Sequence, residues 1–199
     1  MSSHHFVREG QEPALLILDA DSSDVVMSLL EWSPTVLVSS KVLASVLLWG
    51  VKIDAIVTCE GDDMAQLGSM SFDQGPVKII NGGVTKSQLS NALSSLSRQG
   101  QKSVNIISRS PADHFTEVQH YLDRLDIAFV NETLKWFPVA RRFEKWYPAN
   151  TVLRVHTFDR VHDINVGNGA RDYDIIKTGD SGLVSINSDK SLWIGEASS

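Results

Sequence analysis

Apolar runs of strand length alternate with helix-spaced stretches from the start of the ordered sequence to about Asn131, and the alternation then stops. Ala14 to Leu18 is an unbroken apolar run that ends in Asp19-Ala20-Asp21-Ser22-Ser23. Ser22 or Ser23 is placed to cap a short helix through Leu30, which Ser33-Pro34 breaks. Val36 to Val38 predicts a second strand, followed by a helix of about three turns ending at Gly50. Ala55 to Cys59 predicts a third strand, and directly after it stand Glu60, Asp62 and Asp63. Residues 64–75 read as loop and short helix, with turn residues Asp73, Gln74 and Gly75.

Val77 to Ile80 is a further short strand, and Gly82-Gly83 turns the chain. Lys86 to Arg98 carries Leu89, Ala92, Leu93 and Leu96 at helical spacing, with Gly100 closing the helix. Val104 to Ile107 predicts a strand. Ser110-Pro111-Ala112-Asp113 predicts the start of a helix through Leu125, with Val118, Tyr121, Leu122 and Leu125 on one face. Ile127 to Val130 returns to strand. Such alternation argues for a parallel α/β sheet with right-handed crossovers. Beyond Asn131 only strand-like runs remain: Leu134–Val139, Thr151–Phe158, Tyr173–Lys177, Leu183–Ile186 and Ser191–Ile194. Turn segments such as Asn165-Val166-Gly167-Asn168-Gly169 separate them. The expected organisation is a disordered tail over 1–11, an α/β domain over 12–132 and an all-β domain over 133–199, with no Gly/Ser linker at the junction.

Composition narrows the partners. A chain of 199 residues with 42% hydrophobic and 21% charged residues is long enough for a substantial core and argues against disorder. A formal net charge of −6 gives no support for a nucleic-acid or anionic-membrane partner. Cys59, the single cysteine, reads as a small residue of a buried strand and fits a reducing, cytoplasmic setting. No apolar run is long enough to span a membrane, and the first residues, with His4 and His5 in a frayed tail, lack the apolar region of a signal peptide.

Candidate chemistry gathers where predicted strands end, because ligands of open parallel sheets bind outside the carboxyl ends of the strands. Glu60, Asp62 and Asp63 suit Mg²⁺, which takes carboxylate oxygens and bridges them to phosphates, and equally suit the N-terminus of the next helix. Asp19, Asp21 and Asp24 repel phosphate unless a cation intervenes, and read as caps. Asp113 is an N-cap by residue type, with His114 beside it; if the site is alive, Asp113 helps hold metal or substrate. Arg109 is either a phosphate contact or a solvated loop residue. Arg141, Arg142 and Lys145 among Phe143, Trp146 and Tyr147 form either a ligand patch or a strand packing its aromatic face. His156 and His162 have no ligand spacing. Neither a Walker pattern nor a Gly-x-Ser-x-Gly elbow is present.

In element order and in several short motifs the chain resembles the thiamine pyrophosphokinase family. The motifs are Gly50-Val51-Lys52-Ile53-Asp54, Cys59-Glu60-Gly61-Asp62-Asp63, Asp113-His114 and Thr178-Gly179-Asp180-Ser181-Gly182-Leu183. It departs from the family at Ser39 or Ser40, where an acid is usual, around Thr85-Lys86, where two acids are missing, and at Ser110-Pro111, where glycines are usual. The resemblance implies a Rossmann-like parallel α/β domain followed by a small β-sandwich, and pyrophosphoryl transfer from Mg·ATP to thiamine by a homodimer with sites at its interface. It implies Glu60, Asp62 and Asp113 as catalytic acids, Glu60, Asp62 and Asp63 around Mg²⁺, Ser39, Arg109 and His114 at the nucleotide, and Trp193 and Ser198 at thiamine. The alternative is a non-catalytic relative that binds thiamine, thiamine diphosphate or a nucleotide as sensor or scaffold.

Overall fold

The computed structural model describes residues 12–31, 33–81, 87–158, 163–165, 170–172, 174–188 and 191–197, with only the backbone of 163–165 and 170–172. His4, His5, the Gly82-Gly83 turn, Thr85, Lys86, His162, the 166–169 turn and Ser198 lie outside the described residues. The chain packs as two compact units, Met1–Ile127 and Ala128–Ser199.

The first unit is built on five parallel strands: β1 (Ala14–Ile17), β2 (Val36–Ser39), β3 (Ala55–Thr58), β4 (Lys78–Asn81) and β5 (Ser103–Ile107). Their order is β5-β1-β2-β3-β4. Leu15 pairs with Val36 and Asn105, Leu37 with Ala55, and Ala55 with Lys78. β1, β2 and β3 are buried along their whole length, as unbroken apolar runs must be when helices cover both faces of a sheet. β4 is the edge strand of this set, and Lys78, Ile79 and Asn81 on it are exposed.

The helices are α1 (Asp24–Ser28), α2 (Leu43–Leu48), α3 (Met64–Met70), α4 (Gln88–Arg98) and α5 (Phe115–Val118). Leu89, Ala92, Leu93 and Leu96 are the buried stripe of α4, as their spacing predicts. Two corrections concern starts and lengths. Ser23 is the N-cap residue of α1 but its side chain makes no capping bond; Asp24 in the first turn supplies the negative charge instead. The helix expected from Ser110 to Leu125 is broken into a 3-10 turn (Pro111–His114), α5 and a second 3-10 turn (Gln119–Tyr121). Tyr121, on the second 3-10 turn, is tied to α4 by its hydroxyl, which donates to the Ser90 carbonyl at 3.1 Å and lies 3.0 Å from Ser94 Oγ.

β6 (Asp126–Val130) carries the chain into the second unit. That unit contains β7 (Leu134–Val139), β8 (Arg142–Tyr147), β9 (Val152–Thr157), β10 (Asp163–Asn165), β11 (Ala170–Asp172), β12 (Ile175–Lys177), β13 (Gly182–Asn187) and β14 (Leu192–Ala197). They form antiparallel ladders in the orders β11-β12-β9-β14-β7-β6 and β10-β13-β8. Both ladders contribute to one core, with Leu153, Val155, Ile176, Leu192 and Ile194 from the first and Tyr147, Val184 and Ile186 from the second. No helix among the described residues is long and apolar enough to cross a membrane.

Candidate functional site

The strand ends of the first unit hold its polar chemistry. At the end of β3, the buried Thr58 hydroxyl donates to the Ile80 carbonyl at 3.4 Å and lies 3.4 Å from Asn81 Oδ1, tying β3 to β4. The chain then turns through Cys59, Glu60, Gly61 and Asp62, with the Asp62 amide 3.5 Å from the Cys59 carbonyl. Gly61 has φ +87°, a backbone conformation that costs glycine little and other residues more. Asp62 Oδ2 accepts from the Cys59 amide at 2.6 Å and closes the turn on itself. Asp63 Oδ1 accepts from the Ala65 and Gln66 amides at 2.9 and 3.1 Å, so Asp63 caps α3. Glu60 is exposed. Cys59 sits just beyond the strand and is half-buried, not within it as expected.

At the end of β2 the hydroxyl of Ser39, fully buried, donates to Gln88 Oε1 at 2.8 Å and accepts from the Lys41 amide. Gln88, which no local sequence pattern marks, also donates to Ser40 Oγ and to the Val57 carbonyl. Ser39, expected at a nucleotide, is therefore engaged inside the fold.

The third set of groups lies where the strand order reverses. Successive strands run outward from β1 to β4, and β5 returns to the other side of β1, so the β1–β5 ends are the switch point at which open α/β sheets bind ligands. There the Arg109 amide donates to Asp19 Oδ1 at 2.6 Å, and its guanidinium reaches Asp21 Oδ1 at 3.1 Å and Asp19 Oδ2 at 3.8 Å. Asp19 and Asp21, expected as caps, are instead ion-pair partners, and Arg109 is a paired residue with 58% of its side chain exposed. Screening makes such a pair weak in stability but leaves it a defined orientation. Asp113 is not an N-cap: Ser110 holds that position and Asp113 lies inside the following turn, exposed, next to half-buried His114. Glu117 accepts from the hydroxyls of Ser87 and Ser90, joining α5 to the start of α4. Among the described residues no group of three or more His, Cys, Asp or Glu side chains comes together to hold a metal ion. Neither Glu60 with Asp62 and Asp63, nor Glu60 with Asp62 and Asp113, makes such a group.

In the second unit, Trp193 is fully buried and meets Phe129 edge-on at 5.6 Å between ring centroids. Expected at thiamine, it offers no surface to a ligand. The basic run is a strand: Arg142 pairs with Glu144, and Lys145 donates to both oxygens of Glu196 at 2.8 and 2.7 Å. The Tyr147 hydroxyl also donates to Glu196, and burial, then this carboxylate, push its phenol well above the ordinary value. Thr178, the first residue of the Thr178–Leu183 motif, is buried and pins a corner. Its hydroxyl donates to the Pro148 carbonyl and accepts from the Thr151 amide, both at 2.8 Å.

Solved structures decide which fold this is. Thiamine pyrophosphokinase from Bacillus subtilis matches with a TM-score of 0.67 at 8% identity, over 94% of this chain and 99% of that one. This is the thiamine pyrophosphokinase fold. The enzyme from Geobacillus thermodenitrificans gives a TM-score of 0.68 at 11% identity, over 94% and 98% of the two chains. That from Candida albicans gives 0.66 at 9%, over 94% and 90%. No model of a known protein family matches the sequence, and no curated protein matches it either. The thiamine pyrophosphokinase fold is thus kept here by a sequence that shares about one residue in ten with those structures.

Proposed function

We propose that this chain is a thiamine pyrophosphokinase-like protein that transfers a pyrophosphoryl group from Mg·ATP to thiamine. The likeness of fold over 94% of the chain carries this reading. In the reaction the thiamine hydroxyl oxygen bonds to the β-phosphorus of ATP. The bond from that phosphorus to the α–β bridging oxygen breaks, AMP leaves with the oxygen, and the hydroxyl proton passes to solvent. The protein's contribution is orientation and charge.

Mg²⁺ commonly takes one or two carboxylates together with substrate phosphates, and Glu60 and Asp62 fit that demand. Glu60 is exposed at the turn, and Asp62 is aimed by its bond to the Cys59 amide. Asp63, committed to α3, is set aside from the metal. A bound Mg²⁺ would neutralise phosphate charge there. Arg109, oriented by Asp19 and Asp21, reaches a polyphosphate by exchanging these carboxylates for phosphate oxygens, and Asp113 and His114 flank the same strand end. ATP and thiamine as ligands, a homodimer and a cytoplasmic setting belong to this reading.

The second reading is a silent relative that binds thiamine, thiamine diphosphate or a nucleotide without turnover. It is favoured by the capping role of Asp63, which engages one of the three acids of the β3 turn in α3. Incubation with Mg·ATP and thiamine, with AMP and thiamine diphosphate quantified by mass spectrometry, separates the two. Turnover gives equal amounts of both products, abolished in Asp62→Asn. The side-chain carbonyl of that variant still accepts from the Cys59 amide, so the melting temperature stays within about 2 °C of wild type. Neither product from folded protein sinks the enzyme reading, and a ligand-induced rise in melting temperature without AMP establishes the binding protein.

A further inference from the structure

Gln88 is the first residue of α4, yet its side chain bonds to two other elements. Its Nε2 donates to the Val57 carbonyl at 2.7 Å and to Ser40 Oγ at 2.8 Å, and its Oε1 accepts from Ser39 Oγ at 2.8 Å. One planar amide therefore joins the start of α4 to the carboxyl ends of β2 and β3. Few side chains can do this. The position needs two donors and an acceptor on one short, uncharged group. Glutamate keeps the acceptor and loses both donors, and asparagine is one methylene too short.

Val57 stands three residues before Glu60, and the turn that presents Glu60 and Asp62 begins at Cys59, two residues beyond this bond. We propose that Gln88 is the positioning residue of the candidate site. It fixes the end of β3, and so the Cys59–Asp63 turn, and it draws the Ser39 and Ser40 hydroxyls into the fold and away from a ligand. Gln88 itself touches no substrate; it acts through the turn. The proposal rests on the reading of Glu60 and Asp62 as the site's acids.

The test is Gln88→Met in the full chain, which keeps the volume and removes all three bonds. Amide hydrogen exchange is measured at Cys59 and Asp62 and, for reference, at Leu153 and Val155 in the other unit. Mg·ATP affinity is measured by calorimetry. Loss of the brace speeds exchange at the turn by about tenfold, leaves the reference amides unchanged, and weakens Mg·ATP binding by about tenfold. A stabiliser without a positioning role would instead lower the melting temperature and leave affinity unchanged at temperatures where the variant is folded. Unchanged exchange at the turn overturns the proposal, as does faster exchange with unchanged affinity. If the wild-type protein binds no Mg·ATP, the functional reading fails separately, and the exchange data still decide whether Gln88 holds the turn. Should Gln88→Met not fold, Ser40→Ala removes one of the three bonds and gives the same test at smaller amplitude.

Discussion

Gly195 has no side chain because the Trp136 indole stands where one would be. A Cβ built there would lie 2.8 Å from Trp136 Cε2 and 2.9 Å from Cδ2, well inside van der Waals contact. The two residues are register partners across β14 and β7, so backbone pairing forces the approach. A bicyclic ring wedged in a core cannot bend aside as the end of a lysine can. Gly195→Ala therefore destabilises the protein by about 1–3 kcal/mol, the usual cost of overpacking. Urea unfolding measures it, and Trp136→Leu in the same chain should recover part of the loss. An unchanged midpoint in the single variant would show that the ring moves freely. Nothing local in the sequence marks this glycine, because its constraint comes from a strand far away in the chain.

At the scale of elements, α3 and α1 differ in how they begin. Asp63 gives two backbone amides of α3 a carboxylate acceptor, whereas Ser23 gives α1 none. Asp63→Ala should cost about 1 kcal/mol, and Asp63→Ser much less, since serine also caps. Ser23→Ala should lie within about 0.5 kcal/mol of wild type. The three thermal denaturation curves check the contrast, and equal losses at both sites would contradict it. Local period explains what was readable here. The apolar runs of β1, β2 and β3 and the stripe of α4 are written in neighbouring residues. The broken stretch from Pro111 to Tyr121 was not readable as such, because Val118, Tyr121, Leu122 and Leu125 also satisfy a continuous helix.

Across the whole molecule, the unreadable part is the set of contacts that topology creates between distant segments. Arg109 meets Asp19 and Asp21, Gln88 meets Ser39, and Lys145 and Tyr147 meet Glu196. The acids after β3 were legible as a strand-end cluster, but their division into an aimed Asp62 and a capping Asp63 needed the geometry of the turn. Global stability against pH brings one more such group into view. His156 on β9 meets the Phe158 ring edge-on, and burial lowers its pKa below the ordinary 6.5, with Asp174 opposing the shift; Arg154 holds Asp174 at 3.3 Å. The unfolded chain then protonates this imidazole at higher pH than the folded chain does. Between the two values the unfolded state carries more protons, so stability rises with pH there and falls as the solution is acidified through about pH 6.5. Above that window both states are neutral and the contribution vanishes. Unfolding free energies at pH 7.5 and pH 5.5 should therefore differ more in wild type than in His156→Gln. Parallel losses in the two proteins would mean that the fold leaves His156 as free to protonate as the unfolded chain does.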